Sequence, residues 1–205
     1  PVHEPDQSPA RGASRLNTSR TILITGCSSG IGYACAVGMK ARGWRVFATA
    51  RRDEDLKRLA AEGFEALHLD YADAGSVAAC AAEVARRTGG KLDALFNNGA
   101  YGQPGAVEDL RRDVLEAQFA ANVFGWHQLA TACLPLMRAN GSGRIVQCSS
   151  VLGLVAMTTP GPKAVCSTSM PGVNLRSWSG DLSLSSGDLL LSPGDVEAVE
   201  MIGAV

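Results

Sequence analysis

The stretch Thr25-Gly26-Cys27-Ser28-Ser29-Gly30-Ile31-Gly32 is the part of the chain best suited to holding an anion. Gly26 suits a tight turn. Gly30 and Gly32 let the backbone come close to a phosphate and let a helix lie tightly on a strand. A helix beginning at Ile31 carries N–H groups without partners inside the helix, and these attract phosphate. The run Thr21–Thr25 just before it is β-branched and apolar. The motif therefore lies between a strand and a helix, the setting that a phosphate-binding turn requires. The alternative is a strand–helix turn that needs glycine only for its shape.

Two further clusters fit a dinucleotide. Arg51 and Arg52 follow the second apolar run, Arg45–Ala48. A site selective for NAD places an acidic residue near there, to bond the ribose 2′-hydroxyl. A guanidinium pairs instead with a 2′-phosphate and can lie flat on adenine, which points to NADP(H) in preference to NAD(H). The alternative is two solvated arginines in a loop. Asn97 and Asn98 follow a fourth apolar run, and their amides can bond backbone around a cofactor and steady the central strand.

These clusters need elements to position them. Strands are expected at Thr21–Thr25, Arg45–Ala48, Phe64–Leu69, Leu92–Phe96 and Arg144–Cys148. Helices are expected at Ile31–Arg42, at Asp53–Glu62 with Asp53 as N-cap, and at Asp73–Arg87 with Arg86 and Arg87 in the last turn. A long helix from Glu108 to about Met137 carries a break near Pro135. Strands alternate with helices throughout, and the apolar runs are short. That implies an α/β fold with a doubly wound parallel sheet, Rossmann-like, with about five strands.

Composition narrows the classes. The chain has 205 residues and a formal net charge of −1, so electrostatics argue for neither nucleic acid nor an anionic membrane as partner. No apolar run is long enough to span a bilayer. The six cysteines form no C-x-x-C pair, and His3, His68 and His127 are far apart in sequence. No metal site is expected, and the thiols read as small apolar residues of a reduced, cytoplasmic protein. Residues 1–20 read as a loose polar tail.

The spacing G-x-x-x-G-x-G of Gly26, Gly30 and Gly32 resembles the short-chain dehydrogenase/reductase family, and the resemblance runs from Thr21 to about Ala156. It implies an oxidoreductase that moves hydride between NADP(H) and a small alcohol or carbonyl substrate. It also implies roles for single residues. Ser28, Ser29 and Ile31 belong to the family's phosphate turn. Asp70 matches an Asp that bonds the adenine amino group, although it could simply cap the next segment. Asn97-Asn98-Gly99-Ala100 resembles the family's N-N-A-G with its last two residues exchanged. Asn122, in Asn122-Val123-Phe124-Gly125, matches an Asn used in a proton relay through water, although an Asn within a helix is often a plain surface residue. Ser150 matches the Ser that bonds the substrate carbonyl or hydroxyl, with Ser149 as its neighbour.

The resemblance then stops. The family's Y-x-x-x-K motif follows its Ser by about a dozen residues; the phenol moves a proton and the lysine lowers the phenol's pKa. Here Lys163 stands near the expected tyrosine and Ser167 near the expected lysine, while Tyr33, Tyr71 and Tyr101 all precede Ser150. The pattern thus divides the chain into a tail (1–20), an NADP(H)-binding domain (21–157) and an irregular, Ser-, Gly- and Pro-rich segment (158–205). That last segment reads as translated in a shifted frame or from an alternative end, and no further strand or helix is expected in it. The fifth strand would then be an open edge and the protein marginal in stability. The chain is expected either to turn over substrate, to bind NADP(H) without turnover, or to lack a folded function. The family's homo-oligomers use the helix after the fourth strand and the one after the fifth, and only the former is visible.

Overall fold

The computed structural model describes residues 19–103, 105, 107–150 and 196–203. Six strands, β1 (Thr21–Ile24), β2 (Arg45–Ala50), β3 (Glu65–His68), β4 (Ala94–Asn97), β5 (Gly143–Ser150) and β6 (Val196–Gly203), form one sheet in the order β3-β2-β1-β4-β5-β6. Every neighbouring pair is parallel. The chain builds outward from β1 to β3, then crosses back to lay β4 on the other side of β1. The order reverses between β1 and β4, which opens a crevice at the carboxyl ends of those strands.

Helices cover both faces: α1 (Gly30–Ala41), α2 (Asp53–Ala61), α3 (Ala74–Thr88), α4 (Arg112–Phe119) and α5 (Gly125–Asn140). Successive side chains of a strand point to opposite faces, and each face is buried here. Leu23, Phe47, Leu95 and Ile145 feed one core, against Val77 and Val84 of α3 and Leu129 and Met137 of α5. Ile22, Ile24, Ala48 and Phe96 feed the other, against Ala36 of α1 and Leu59 of α2.

Several expectations are corrected. Asp53 does not cap α2. Arg52 takes the N-cap position, and Asp53, Glu54 and Asp55 fill the first turn, where their charge suits the helix dipole. Asp73 does cap α3, its carboxylate accepting from the Gly75 N–H at 2.8 Å. The long helix has no break at Pro135; α5 runs through it, because Leu129, Cys133 and Met137 pack on the sheet to either side. The irregularity lies earlier. Between α4 and α5 the helix widens into a π-type segment at Ala120–Phe124, the kind of local widening that recurs at functional sites. Arg20, read as tail, is tied to the sheet through its carbonyl, which accepts from the Arg45 N–H at 2.8 Å.

The irregular reading of 158–205 missed β6. Its eight residues pair in register with all of β5, Gly143 opposite Val196 and Ser150 opposite Gly203. β5 is therefore not an edge. The run Val196-Glu197-Ala198-Val199-Glu200-Met201-Ile202 has enough apolar residues for a strand. A parallel partner is reached by a crossover, however, so no adjacent hairpin turn announces it. Residues 1–18 and 151–195 lie outside the described residues.

Candidate functional site

The glycine turn is stitched between two strands. The Thr25 N–H donates to the Phe96 carbonyl at 3.0 Å, and the Cys27 N–H donates to the Thr49 carbonyl at 2.8 Å. Burial pushes the Cys27 thiol up to about 12. It is thus an un-ionised apolar side chain at neutral pH. Gly26 sits at φ 68°, and a Cβ there would lie 2.6 Å from the Gly99 Cα. Only glycine tolerates both the angle and the approach. A Cβ on Gly32 would run into the Gly26 carbonyl oxygen, so α1 can pack this closely only without a side chain there. Gly30, at φ 59°, faces open space, with nothing within 4 Å of where its Cβ would be. Ser29, the N-cap of α1, makes no side-chain capping bond, so the first N–H groups of the helix have no side-chain cap.

In front of this turn lies a cavity of about 260 Å³. The turn contributes Gly26, Ser28 and Ser29; β2 and the residue after it contribute Thr49, Ala50 and Arg51. Asp70 and Tyr71 line it from beyond β3, and Asn98 to Tyr101 from beyond β4. Open glycine backbone, a bare helix end and a basic residue at the rim together fit a dinucleotide, with its pyrophosphate at the turn.

The two arginines part company. Arg51 lines the cavity and, among the described residues, makes no ion pair. Arg52 pairs with Glu54 at 3.0 Å and Asp55 at 3.1 Å. A third arginine, which the sequence reading missed, touches the turn itself: Arg58 of α2 donates to the Ser28 carbonyl at 2.7 Å. Its Asp55-x-x-Arg58 spacing is visible in the sequence as a helical ion pair, but nothing in the sequence says that the guanidinium meets the turn.

Beneath the cavity lies a buried polar network. The Tyr71 hydroxyl donates to Asn97 Oδ1 at 2.5 Å and lies 3.0 Å from Thr25 Oγ1. Thr25 Oγ1 accepts from the N–H groups of Asn98 (2.9 Å) and Gly99 (3.0 Å). The Asn98 amide donates to the Thr25 carbonyl at 3.1 Å, and the Trp126 indole donates to the Gly99 carbonyl at 2.7 Å. Asn98 thus locks the end of β4 directly to the end of β1, and Asn97 reaches it through the Tyr71 hydroxyl. Tyr71 was also missed, because its partners come from β1 and β4. Burial holds its phenol well above the ordinary tyrosine value. It is a structural hydroxyl with no proton to give near neutral pH. The exchanged Gly99 avoids the left-handed region; a Cβ on it would lie 3.1 Å from the Gly26 N.

Asp70 lines the cavity, but its carboxylate also accepts from the Ala72 N–H at 3.0 Å, so it turns the chain toward α3 as well. Asn122 sits in the widened segment. Its amide donates to the Tyr101 carbonyl at 2.7 Å and accepts from the Tyr101 N–H at 3.2 Å. Gln118 donates to the same carbonyl at 2.8 Å. Asn122 therefore clamps the loop after β4 from both sides. Ile31 is exposed at the start of α1. Ser150 is the last residue of β5; its side chain, like Lys163 and Ser167, lies outside the described residues. The described residues contain no cluster of metal-ligating side chains.

The sequence profile of the family described as short chain dehydrogenase matches residues 20–162. The chain belongs to this family. Its relatives include an oxidoreductase of Escherichia coli, YbbO, 39% identical over 165 residues, which cover 80% of this chain and 60% of YbbO. A short-chain dehydrogenase from Streptomyces avermitilis superposes with a TM-score of 0.65 at 38% identity, over 70% of this chain and 53% of that one. A gluconate 5-dehydrogenase from Burkholderia cenocepacia, in complex with NADP and tartrate, superposes with a TM-score of 0.60 at 30% identity, over 68% and 57%. The chain thus spans between half and two thirds of the length of these short-chain dehydrogenases. No helix among the described residues is long and apolar enough to cross a membrane.

Proposed function

We propose that this chain is the cofactor-binding part of a short-chain oxidoreductase that takes NADP(H) in preference to NAD(H) and acts on the alcohol or carbonyl group of a small molecule. The observation that carries this reading is Arg51, at the rim of the cavity just past β2, where an acidic residue would serve NAD. The gluconate 5-dehydrogenase solved with NADP supports it.

In this reading the N–H groups at the start of α1 and the turn Gly26, Ser28, Ser29, Gly30, Ile31 and Gly32 hold the pyrophosphate. Arg51 pairs with the 2′-phosphate, while Arg52 remains with its carboxylates on α2. Asp70 accepts from the adenine amino group. Asn97 and Asn98 hold the strand ends that shape the floor. Bound there, the nicotinamide would supply or accept the hydride. Ser150 bonds the substrate oxygen, and Asn122 keeps the loop at Tyr101 in place and joins a proton path through water. Five free cysteines among the described residues support a reduced, cytoplasmic setting.

A second reading, binding without turnover, is favoured by one observation: no tyrosine follows Ser150, and Lys163 and Ser167 stand near the places of the family's tyrosine and lysine. The phenol moves a proton near neutral pH only when a neighbouring cation lowers its pKa, and neither a phenol near 163 nor a cation at 167 is present here. The test is a titration of the purified chain with NADPH and NADH, read by nicotinamide fluorescence, followed by turnover assays on aldehydes, ketones and alcohols. Saturable binding that favours NADPH supports the cofactor reading, and turnover separates the first reading from the second. No binding to soluble, folded protein overturns both.

A further inference from the structure

Arg58 is fixed more firmly than a surface arginine needs to be. Besides the Ser28 carbonyl, its guanidinium meets Asp55 at 3.4 Å and Glu62 at 3.2 Å and lies 5.1 Å above the Tyr33 ring. Asp55 is a buried carboxylate, and the same group holds Arg52 at 3.1 Å. One carboxylate thus anchors an arginine that grips the glycine turn and also pairs with Arg52, which is not part of the cavity lining.

We propose that Arg58, anchored by Asp55, is the positioning residue that sets the Ser28–Ser29 peptide for the pyrophosphate. The argument follows from peptide geometry and rests on the cofactor reading above. In a planar trans peptide the C=O and N–H point in opposite directions, and no described peptide bond is cis. Gripping the Ser28 carbonyl therefore also fixes the direction of the Ser29 N–H. Ser28 and Ser29 both line the cavity, and the conformations of the flanking Gly26 and Gly30 leave the turn little stiffness of its own. Without the guanidinium the peptide can rotate and offer a carbonyl dipole to the phosphates, replacing attraction by repulsion. Arg58 acts on the phosphates through Ser28. Arg51 acts at the 2′-phosphate directly.

The two roles predict different patterns. Wild type, Arg58→Met, Asp55→Asn and Arg51→Met would be titrated with NADPH, NADH and adenosine 2′-monophosphate, which carries the 2′-phosphate but no pyrophosphate. Arg58→Met should weaken NADPH and NADH by the same factor, about tenfold, the size of one charge-assisted hydrogen bond. Adenosine 2′-monophosphate should bind it as it binds wild type. Asp55→Asn should repeat that pattern at about threefold, because the anchor is weakened and the grip remains. It carries the test if Arg58→Met does not fold. Arg51→Met should show the reverse pattern, losing NADPH and adenosine 2′-monophosphate while sparing NADH. The positioning role is overturned if Arg58→Met behaves like Arg51→Met, or if all three ligands bind the Arg58 and Asp55 variants as they bind wild type. Failure of wild type to bind either dinucleotide overturns the cofactor reading itself, a different result from a wild type that binds beside unaffected variants.

Discussion

The two ends of the sheet are built on opposite plans. At the amino ends of the strands polar groups satisfy one another. Arg45, the first residue of β2, pairs with Glu65, the first of β3, and donates to the Arg87 carbonyl at 2.9 Å. Arg87 in turn meets Glu83 at 2.6 Å. Asp93 accepts from the Thr21 N–H at 2.7 Å and from the Asn140 amide at 3.0 Å, joining β1, β4 and the end of α5. At the carboxyl ends the side chains fall back. Glycine meets glycine, α1 begins without a capping side chain, and Arg51 stands at a cavity with no ion pair among the described residues. The amino ends bind strand to strand through half-buried ion pairs, whereas the carboxyl ends hold one largely buried polar layer, Tyr71, Thr25, Asn97 and Asn98, and leave the backbone and Arg51 above it open. Stability and binding should therefore be separable by mutation.

The sharpest break would come from Gly32→Ala. The added methyl meets the Gly26 carbonyl, so the turn must move; overpacking of this kind costs about 1–3 kcal/mol. Dinucleotide binding should fall by at least about a hundredfold, because misplaced phosphate donors lose several charge-assisted bonds together. A fluorescence titration beside a denaturant melt would show it, and near-wild-type affinity would mean that the turn does not hold the phosphates. Next is Arg51→Met, whose cost should fall on selectivity: the ratio of NADPH to NADH affinity should drop by about tenfold or more, with the melt unchanged. An unchanged ratio would remove Arg51 from the 2′-phosphate. Tyr71→Phe tests the buried network beneath the cavity, at the carboxyl ends themselves. It leaves Asn97 Oδ1 without its donor in a buried site, which should cost about 1–3 kcal/mol in a urea melt.

The smallest effect belongs to the amino ends. Hydrogen bonds from Arg86, then Arg87, hold the Glu83 carboxyl down at about 2. A carboxylate whose pKa is lowered by folding stabilises the protein above its unfolded value, and that contribution fades as pH falls through the folded one. Wild type should therefore melt slightly above Glu83→Gln at pH 6, and the gap should close between pH about 4.5 and about 2. Dinucleotide affinity at pH 7 should be equal in the two proteins. A difference there would blur the division between the ends.

Most of the fold was legible because its signals are local. A β-branched run that ends in glycine, short apolar runs spaced between helices, and an Ala-rich helix with arginines in its last turn need no distant partner to be read. The doubly wound parallel sheet and the glycine turn followed from those. What escaped reading depends on residues far apart in the chain. Tyr71 looks like any aromatic until Thr25 and Asn97 meet its hydroxyl, and Arg58 looks like a helix-surface charge until Ser28 lies against it. The widening at Ala120–Phe124 leaves no mark in composition, whereas Pro135, which does, turned out to be tolerated by packing on both sides. Arg51 and Arg52 were read as equals, and only the positions of Glu54 and Asp55 tell them apart. β6 was missed because its partner lies some fifty residues back, across a segment without a readable helix.

The uncapped start of α1 has a thermodynamic consequence. The N–H groups of a helix end that lacks a side-chain cap are left to solvent, and any anion that settles on them and not on the unfolded chain shifts the folding equilibrium. The melting temperature would then act as a gauge of free ligand, climbing with the logarithm of its concentration once the site is full. In a cell the lifetime of the folded chain would follow its cofactor supply.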